Sequence, residues 1–305
     1  MRNLVVIRAL ACLSLAAPLS AQRANTRESL LVSSSWLASH LNDRNLVVLH
    51  VGDRAEYDKG HVVGARFVPF DAIAVSDRTG GGLSLEMLPA DKLRDALASF
   101  GISNDSRIVV TYDSTRVTQG TRLVFTLDYA GLGDRTSLLD GGMAAWKHDG
   151  RATTTEIPAA NTGTLAALTL KPIVVTADYV QSHVKRAGTS VVDGRATPFY
   201  DGTQTGGGRG TPHKTGHVAG AKSVPFTELT DVQSFLFKSP SQLGALFAAA
   251  GVAPTDTIVG YCHIGQQATA MLFAARTLGH PVLLYDGSFE DWSRRDLPVE
   301  TRKTP

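Results

Sequence analysis

The chain has 305 residues, of which 43% are hydrophobic and 19% are charged, and its formal net charge is +2. This balance is typical of a globular protein, and at roughly 150 residues per domain the length indicates two domains. A charge so close to zero gives no electrostatic reason to expect DNA, RNA or an anionic membrane surface as a partner.

The N-terminus has the pattern of an export signal. Two arginines precede an apolar stretch at 9–19, and small residues end it. The stretch is shorter than the roughly 20 apolar residues of a membrane span and is typical of a signal peptide. We therefore predict a signal peptide at 1–21 and a periplasmic or secreted protein with no stable membrane association after cleavage. An uncleaved anchor and a lipoprotein processed at Cys12 are the alternatives.

The remainder of the chain contains an internal repeat. Segments 60–70 and 216–226 are identical at eight of eleven positions. A period of roughly 150 residues is far longer than that of a solenoid repeat, so it indicates a duplicated domain. We predict a first domain at 28–148, a linker rich in Thr, Ala and Pro at 149–172, and a second domain at 173–301.

Two shorter matches between the copies bear on function. The similar motifs Asp-Arg-Ala and Gly-Arg-Ala pair Arg54 with Arg195. The segments Thr-Tyr-Asp and Gly-Tyr-Cys pair Asp113 with Cys262. Because both copies have the arginine, a structural ion pair with a nearby acid is one interpretation of Arg195.

Short β-branched runs alternate with helical patterns in each copy. In the second copy, runs at 190–192, 257–261 and 282–285 predict buried strands. Helical spacing predicts helices at 239–250, capped by a serine, and at 268–278, ended by a glycine. This alternation predicts an α/β fold in which each domain is a mainly parallel sheet flanked by helices on both faces.

The sequence has two cysteines, Cys12 in the predicted signal and Cys262. A lone thiol in an oxidising compartment is a liability unless it has a function. Cys262 directly follows the strand predicted at 257–261, and ligands of such sheets bind beyond the carboxyl ends of the strands. A short loop there can turn its N–H groups towards the sulfur and, with the next helix N-terminus, lower the pKa of the thiol. We predict a reactive thiolate, whose persulfide the same donors would stabilise.

Three motifs combine in a pattern that is specific for one family. They are the Gly-His-Val-x-Gly-Ala-x-x-Val-Pro-Phe element of both copies, the Tyr261-Cys262 loop with Gly265, and the tail from Asp286 to Trp292. Together they resemble the tandem-domain rhodanese-type sulfurtransferases, which include thiosulfate and 3-mercaptopyruvate sulfurtransferases. The resemblance implies two rhodanese-like α/β domains, sulfur transfer through a persulfide on Cys262, and no metal or organic cofactor.

The resemblance also implies that the first domain lacks a catalytic cysteine. Asp113 at the paired position agrees, since a carboxylate cannot accept a sulfane sulfur. The implied partners are a small-molecule sulfur donor and a thiol or cyanide acceptor, with a protein acceptor also open and no nucleic acid. A related phosphatase would carry a phosphate-clamping arginine at the sixth position after the cysteine, where this chain has Ala268.

The sequence leaves the sulfur donor open. Thiosulfate enzymes of the family carry cations where this chain has Phe199 and Ile264, and mercaptopyruvate enzymes carry a loop of small residues that His263 and Ile264 do not match. We expect thiosulfate or a related sulfane donor. The alternatives are a 3-mercaptopyruvate sulfurtransferase, or a periplasmic persulfide carrier or thiol sensor with little small-molecule turnover.

Cys262 is the predicted catalytic residue. The predicted substrate-binding residues are Arg195, His263, Gly265, Gln266, Gln267, Arg209 and Lys214. We expect the imidazolium of His263 to help to bind an anion, with a side chain that merely faces solvent as the alternative. His61 and His217 recur in both copies and are interpreted as residues that hold the fold.

Arg209 and Lys214 belong to a Gly-rich insertion at 201–215 that only the second copy has. A solvated surface loop is one interpretation of this composition. The other is a substrate lid whose two cations replace those that are missing around Cys262.

Overall fold

The computed structural model describes residues 27–77, 81–113, 117–206 and 213–301. The predicted signal peptide, with Cys12, and Arg209 of the insertion lie outside the described residues. Within the described part of the chain, no helix is long and apolar enough to cross a membrane.

The first domain alternates strands and helices. Its strands are β1 (Leu31–Val32), β2 (Leu46–Val51), β3 (Arg66–Phe67), β4 (Ala74–Val75), β5 (Glu86–Met87), β6 (Arg107–Tyr112) and β7 (Thr136–Leu139). Its helices are α1 (Ser34–His40), α2 (Arg54–Lys59), α3 (Ala90–Ser99), α4 (Val117–Tyr129) and α5 (Gly142–His148).

The second domain repeats this order. Its strands are β8 (Val174–Val175), β9 (Thr189–Asp193), β10 (His217–Val218), β11 (Lys222–Ser223), β12 (Thr257–Tyr261), β13 (Val282–Tyr285) and β14 (Val299–Glu300). Its helices are α6 (Ala177–His183), α7 (Thr197–Asp201), α8 (Pro240–Ala249), α9 (Gln267–Thr277) and α10 (Ser288–Arg294).

Each domain contains a five-stranded sheet in which all neighbouring strands are parallel. The strand order is β1-β7-β6-β2-β3 in the first domain and β11-β9-β12-β13-β8 in the second. Helices flank both sheets, so the predicted fold of two tandem α/β domains is confirmed.

The chain specifies α8 and α9 locally. Ser239 and Gln242 form a capping box at the start of α8, and Pro240 occupies its first turn, where a missing N–H costs nothing. After α9, Gly279 adopts φ +87°, a left-handed conformation that favours glycine and ends the helix. Both helices were predicted, and each of their ends lies one residue from its predicted position.

The central strands β6 and β12 send alternate side chains to opposite faces of their sheets. On one face, Val110, Ile258 and Cys262 belong to a single apolar core that both domains share. On the other face, Val109 and Val259 belong to cores of their own domain. Because Cys262 lies on the shared face, the thiol is placed between the two domains rather than on an outer surface.

The two domains meet through the helices that follow the central strands. Helices α4 and α9 pack against each other, and the hydroxyls of Thr121 and Thr269 lie 3.1 Å apart in a buried hydrogen bond. These threonines occupy equivalent places in the two helices. The duplicated domains are therefore related by an approximate two-fold axis that passes near this contact.

Candidate functional site

Cys262 lies at the carboxyl end of β12, directly before the loop that leads to α9. Its side chain is fully buried, and it is a free thiol. The Cys262 N–H donates to Ser288 Oγ at 3.2 Å, and its carbonyl accepts from the Phe289 N–H at 2.9 Å. The start of α10 therefore fixes the backbone on which the sulfur is carried.

The loop turns three backbone N–H groups towards the sulfur, as predicted. They belong to Ile264, Gln267 and Ala268. Burial nevertheless dominates and raises the pKa of the Cys262 thiol, while these three hydrogen bonds act in the opposite direction. The expectation of a lowered pKa is therefore wrong, because the loop dipoles do not outweigh the removal of the sulfur from water.

Gly265 gives the loop its shape. Its φ of +78° favours glycine, and a side chain there would come within 2.7 Å of the Asp286 carbonyl and 2.9 Å of Arg122 Nη1. Arg122 is fully buried and extends from α4 of the first domain into the second. Its Nη1 donates to the Gly265 carbonyl at 2.9 Å and to Asp286 Oδ1 at 2.6 Å. The first domain thus holds the loop of the second, which shows that it helps to shape the site.

The strand register identifies the first-domain position that is equivalent to the cysteine. Val110 pairs with the residue two positions before the Asp-Gly motif of the first copy, and Gly260 pairs with the same position in the second. Two residues further along the chain stand Tyr112 and Cys262. The pairing of Asp113 with Cys262 is therefore wrong by one residue, although the conclusion that the first domain lacks the thiol holds.

The pairing of the two arginines is also wrong. Tyr57 and Tyr200 each stack on the repeated histidine of their own domain, with ring centroids 3.7 Å apart in both cases. Five residues before these tyrosines stand Gly52 and Arg195. Arg54 instead begins α2 and pairs with an exposed aspartate. The shared Arg-Ala letters misaligned the copies by two residues, and Arg195 is particular to the second domain.

The repeated histidines hold the fold, as interpreted from the sequence. His61 Nδ1 lies 2.8 Å from the Tyr57 carbonyl, and His217 Nδ1 lies 2.8 Å from the Tyr200 carbonyl. Four residues separate the ring pair in the first domain and seventeen in the second. The insertion of the second domain lies between these two rings.

Arg195 forms a buried ion pair. Its Nη2 donates to Asp193 Oδ2 at 2.6 Å and to the Gly216 carbonyl at 2.7 Å, and its Nε contacts both Asp193 oxygens at 3.0 Å. The guanidinium also lies over the Phe289 ring, 4.1 Å from its centroid. This geometry corresponds to the structural interpretation of Arg195, because its charge is already compensated.

His263 lies beside Cys262 and packs edge-on against Phe199, with ring centroids 4.6 Å apart. Burial lowers its pKa to about 4, and the nearby charge of Arg195 and the imidazole of His213 act in the same direction. The ring is therefore neutral at physiological pH. The expectation that an imidazolium binds the anion is wrong for this environment.

The two glutamines of the loop differ in their contacts. Gln266 Nε2 donates to Thr118 Oγ1 of α4 at 3.3 Å. The Gln267 side-chain oxygen is buried, and no described residue donates a hydrogen bond to it. Gln266 therefore ties the loop to the first domain, whereas the amide of Gln267 keeps an unused acceptor.

Lys214 is engaged away from the loop. Its ammonium donates to the carbonyls of Arg295 at 2.7 Å and Leu297 at 2.9 Å, just after α10. These bonds anchor the end of the insertion and leave the ammonium without the freedom that the lid hypothesis requires. The other cation of that hypothesis, Arg209, lies outside the described residues.

A hairpin of the first domain covers the site. The Ser84 N–H donates to Glu290 Oε2 at 2.9 Å, and the Met87 N–H donates to Asp286 Oδ2 at 2.9 Å. Arg294 reaches back to the Gly82 carbonyl at 2.8 Å. These contacts join strands β4 and β5 to the start of α10, so residues of both domains surround the loop that carries the thiol.

Sequence reasoning missed two residues of this site. Arg122 could have been suspected, because it is a charged residue directly followed by the apolar run Leu-Val-Phe. His213 is buried beside His263, with ring centroids 5.6 Å apart. Nothing in the local sequence distinguishes His213 from a solvated residue of a Gly-rich insertion. Among the described residues, no group of three His, Cys, Asp or Glu side chains could hold a metal ion.

Comparisons with known proteins agree with this geometry. The family model of the rhodanese-like domain matches twice, at 33–149 and 176–295. The 3-mercaptopyruvate sulfurtransferase of Escherichia coli strain K12 is 31% identical over 289 residues, which cover 89% of this chain and 98% of that protein. The thiosulfate sulfurtransferase of Rattus norvegicus is 31% identical over 291 residues, which cover 89% and 94%.

A solved structure shares the fold over most of the chain. It is the anaerobic ergothioneine biosynthesis enzyme from Chlorobium limicola in complex with trimethyl histidine. The TM-score is 0.79 at 21% identity, and the match covers 92% of this chain and 71% of that one.

Proposed function

Since the chain belongs to the rhodanese-like family and is a rhodanese-type sulfurtransferase, we propose that it moves sulfane sulfur from thiosulfate or a related donor to cyanide or a thiol through a persulfide on Cys262. The observation that carries this proposal is the free thiol at the end of β12, with three backbone N–H groups directed at its sulfur. These donors stabilise a thiolate, and they would stabilise the terminal sulfur of a persulfide in the same way.

The cycle is a double displacement. The Cys262 thiol first loses its proton to solvent, and the thiolate attacks the sulfane sulfur of the donor. A new S–S bond forms, the bond to the leaving group breaks, and the electron pair departs with sulfite when thiosulfate is the donor. The acceptor then attacks the outer sulfur, and the electron pair of the persulfide bond returns to Cys262. No external oxidant or reductant is required, because the sulfane sulfur of thiosulfate keeps its oxidation state. When 3-mercaptopyruvate is the donor, its carbon–sulfur bond breaks and the electron pair departs with the enolate of pyruvate, which takes up a proton, so that carbon gains the two electrons that sulfur loses.

3-Mercaptopyruvate is the second candidate donor, and the charges of the site favour it. Arg195 is neutralised by Asp193, and Arg122 by Asp286, while the Lys214 ammonium is bound to carbonyls. In the part of the site that the structure describes, both guanidinium groups are thus paired with carboxylates. A donor with one negative charge suits such a site better than a dianion, because each buried charge needs a compensating partner.

A panel of donors tests the function and separates the candidates. The chain would be incubated with thiosulfate, 3-mercaptopyruvate or glutathione persulfide, and intact mass would report one added sulfur atom on Cys262. Steady-state turnover with cyanide and with a thiol would follow for each donor. Many turnovers with one donor support the enzyme, and a stable persulfide with little turnover supports a carrier that hands sulfur to a protein acceptor. The proposal fails if none of the three donors adds sulfur to Cys262.

Export to the periplasm or out of the cell is a further part of the proposal. Its support is the pair of arginines and the apolar stretch at 9–19, followed by small residues. Fractionation of cells that express the full chain, with N-terminal sequencing of the product, tests it. A cytosolic product that keeps residues 1–21 would contradict export.

A further inference from the structure

The side chain of His213 is buried without a hydrogen-bond partner. Only 5% of the residue is exposed. Neither ring nitrogen contacts a donor or acceptor among the residues that the structure describes. Buried polar groups in native proteins are nearly always paired, and an unpaired one is costly unless something else satisfies it. The ring therefore indicates a place where a ligand completes the structure.

The backbone holds this ring in place from both sides. The His213 N–H donates to the Gly206 carbonyl at 3.0 Å, and the next N–H, that of Lys214, donates to Ser293 Oγ at 3.0 Å. The Lys214 ammonium adds its bonds to the two carbonyls after α10. His213 is thus positioned by α10, the same helix that fixes the backbone of Cys262.

The ring is close to the reactive thiol. Its centroid lies 5.6 Å from that of His263, the residue directly after Cys262, and 6.1 Å from that of Phe289. The Phe289 N–H is in turn bound to the Cys262 carbonyl. A group that satisfied His213 would therefore lie beside the loop that carries the sulfur.

Gly206 lets the two imidazoles approach each other. A Cβ at this position would lie 2.5 Å from Cε1 and 2.7 Å from Nδ1 of His263, and 3.5 Å from Nδ1 of His213. The His263 ring therefore packs directly against the backbone of Gly206, and Nδ1 of both rings lies on the same side of this residue. Any other residue here would displace His263 from its place beside His213.

Both imidazoles are neutral. Burial lowers the pKa of His213, and the nearby positive charges of Arg195 and Arg294 act in the same direction. The pKa of His263 is lowered to about 4. A neutral imidazole carries one N–H donor and one acceptor nitrogen. The pair can bind oxygen atoms through hydrogen bonds without adding a charge to the cleft.

We propose that His213 and His263 form a recognition site for the oxyanion head group of the sulfur donor, with His213 as the residue that determines donor affinity. This inference rests on the proposed function. The head group is the sulfonate end of thiosulfate or the carboxylate of 3-mercaptopyruvate, which share the chemistry of negatively charged oxygens. As the bond to the sulfane sulfur breaks, the leaving group keeps the electron pair, and an N–H donor at its oxygens is retained throughout the step.

The test replaces His213 by phenylalanine, which keeps the volume and removes both nitrogens, and by asparagine, which restores an N–H near the position of Nδ1. With thiosulfate and 3-mercaptopyruvate as separate donors, we expect His213→Phe to raise the KM for loading Cys262 about ten-fold. His213→Asn should recover most of that loss. Discharge of a preformed persulfide by a neutral thiol should stay within two-fold in both variants, because no oxyanion is bound in that half-reaction.

Stability and a pair of glycine variants provide the controls. The Tm of His213→Phe should equal or exceed that of the wild type, because an unpaired buried group is removed. Gly206→Ala should raise the donor KM as well, since its Cβ would lie 2.5 Å from the His263 ring and displace it. Gly244→Ala, where a Cβ meets nothing within 4 Å, should leave KM unchanged and should not lower the Tm, because alanine favours the helix α8 over glycine.

The outcomes separate this inference from the proposed function. If the wild-type protein gains no sulfur from any donor, the proposed function fails. If the wild type loads but His213→Phe loads with an unchanged KM for both donors, the recognition site is overturned. Equal losses in loading and discharge with a lowered Tm would also overturn it, since His213 would then only support the fold. The donor whose KM responds more strongly identifies the head group.

Discussion

Each domain extends a segment across the other, and the two segments make equivalent contacts. The first domain extends a hairpin across the second, and the Met87 N–H binds the Asp286 carboxylate at 2.9 Å. The second domain extends 226–237 across the first, and the Phe237 N–H binds the equivalent carboxylate of Asp140 at 2.9 Å. Both domains have thus kept this contact, although only the loop after β12 contains a thiol.

The two loops differ in a few side chains: a large residue in one domain is accompanied by small neighbours, and a small residue in the other by larger neighbours. Where the second domain has Cys262, the first has the buried ring of Tyr112. A Cβ at Gly120 would come within 2.7 Å of this ring, and one at Gly142 within 2.8 Å. The equivalent positions in the second domain are Ala268 and Ser288. The large ring therefore fits because two neighbours have no side chain, and the position that holds a thiol in the second domain is filled by a core side chain in the first.

The largest expected difference in activity is between two variants at equivalent positions, Cys262→Ser and Tyr112→Phe. We expect Cys262→Ser to lower sulfur transfer by a factor of about a thousand or more, since the nucleophile is lost. Tyr112→Phe should leave turnover within two-fold, because Tyr112 is a buried residue at the end of β6, where the first domain holds no thiol. Steady-state assays measure the difference, and circular dichroism checks that both variants fold. Substantial activity in Cys262→Ser would end the persulfide mechanism.

The pH dependence of loading tests the burial that both loops share. Burial raises the pKa of Tyr112 and that of Cys262, in each case as the largest influence. A raised thiol pKa means that the reactive thiolate is the minor form at neutral pH, and its fraction grows about ten-fold per pH unit below the pKa. We therefore expect kcat/KM for thiosulfate to rise about a hundred-fold from pH 6 to pH 8.

The histidines do not complicate this profile, because the pKa of His263 lies near 4 and that of His213 is also lowered. Alkylation of Cys262 by neutral iodoacetamide, in the folded protein and in denaturant, gives the two thiol pKa values directly. A folded value at or below the unfolded one would show that the loop N–H groups outweigh burial after all.

Arg122 is the second difference between the domains. It lies next to Thr121 in α4, and the equivalent position next to Thr269 in α9 is Ala270. At this place the first domain sends a cation to the loop of its partner, whereas the second domain has an alanine. Replacement of Arg122 by methionine would leave the Asp286 carboxylate buried without its guanidinium. We expect the free energy of unfolding to fall by about 3–5 kcal/mol, and loading of Cys262 to slow about ten-fold or more.

Arg276 provides the matched control for Arg122. It also joins the domains, through an ion pair with Asp128 at 3.0 Å, but it is partly exposed and lies away from the loop. Asp128 keeps a second partner in Lys171 at 2.9 Å. Arg276→Met should cost about 1 kcal/mol or less and leave loading unchanged. Equal losses from both variants would mean that Arg122 acts on the interface as a whole and not on the loop.

The sequence allowed the fold to be predicted because the elements of the fold depend on local patterns. β-Branched runs, the capping serine of α8 and the glycine after α9 define their elements without knowledge of the partner domain. The position of Cys262 after a buried strand likewise follows from the order of residues. The repeat of eight identical positions established the duplication.

What could not be predicted depends on register and on contacts between domains. Short sequence matches paired Arg54 with Arg195 and Asp113 with Cys262. Both pairings are wrong, because equivalent positions in the two sheets are defined by the hydrogen-bond register of the strands and not by local sequence identity. The pKa of Cys262 depends on how deeply the second domain and the clasping hairpin bury it. The roles of Arg122 and His213 require side chains from distant segments to meet, and no local pattern encodes that meeting.

Asp113 provides the smallest predicted effect and the finest test of the comparison. By the corrected register it corresponds to His263, and its partner His50 corresponds to Asp193. The His50–Asp113 contact of 3.1 Å thus stands at the positions of Asp193 and His263, with the acid and the histidine exchanged. The Asp113 carboxylate also accepts a hydrogen bond from the Asp53 N–H at 2.5 Å, so it organises its own loop.

We expect Asp113→Ala to reduce the free energy of unfolding by about 1–2 kcal/mol, since two hydrogen bonds lose their acceptor. Turnover should stay within about three-fold, because the loop that carries Asp113 holds no thiol and Arg122, which binds the Gly265 carbonyl in the Cys262 loop, is left intact. Denaturant unfolding and steady-state kinetics on the same sample measure both effects, and a loss of turnover as deep as that of Cys262→Ser would show that the first domain takes part in the chemistry.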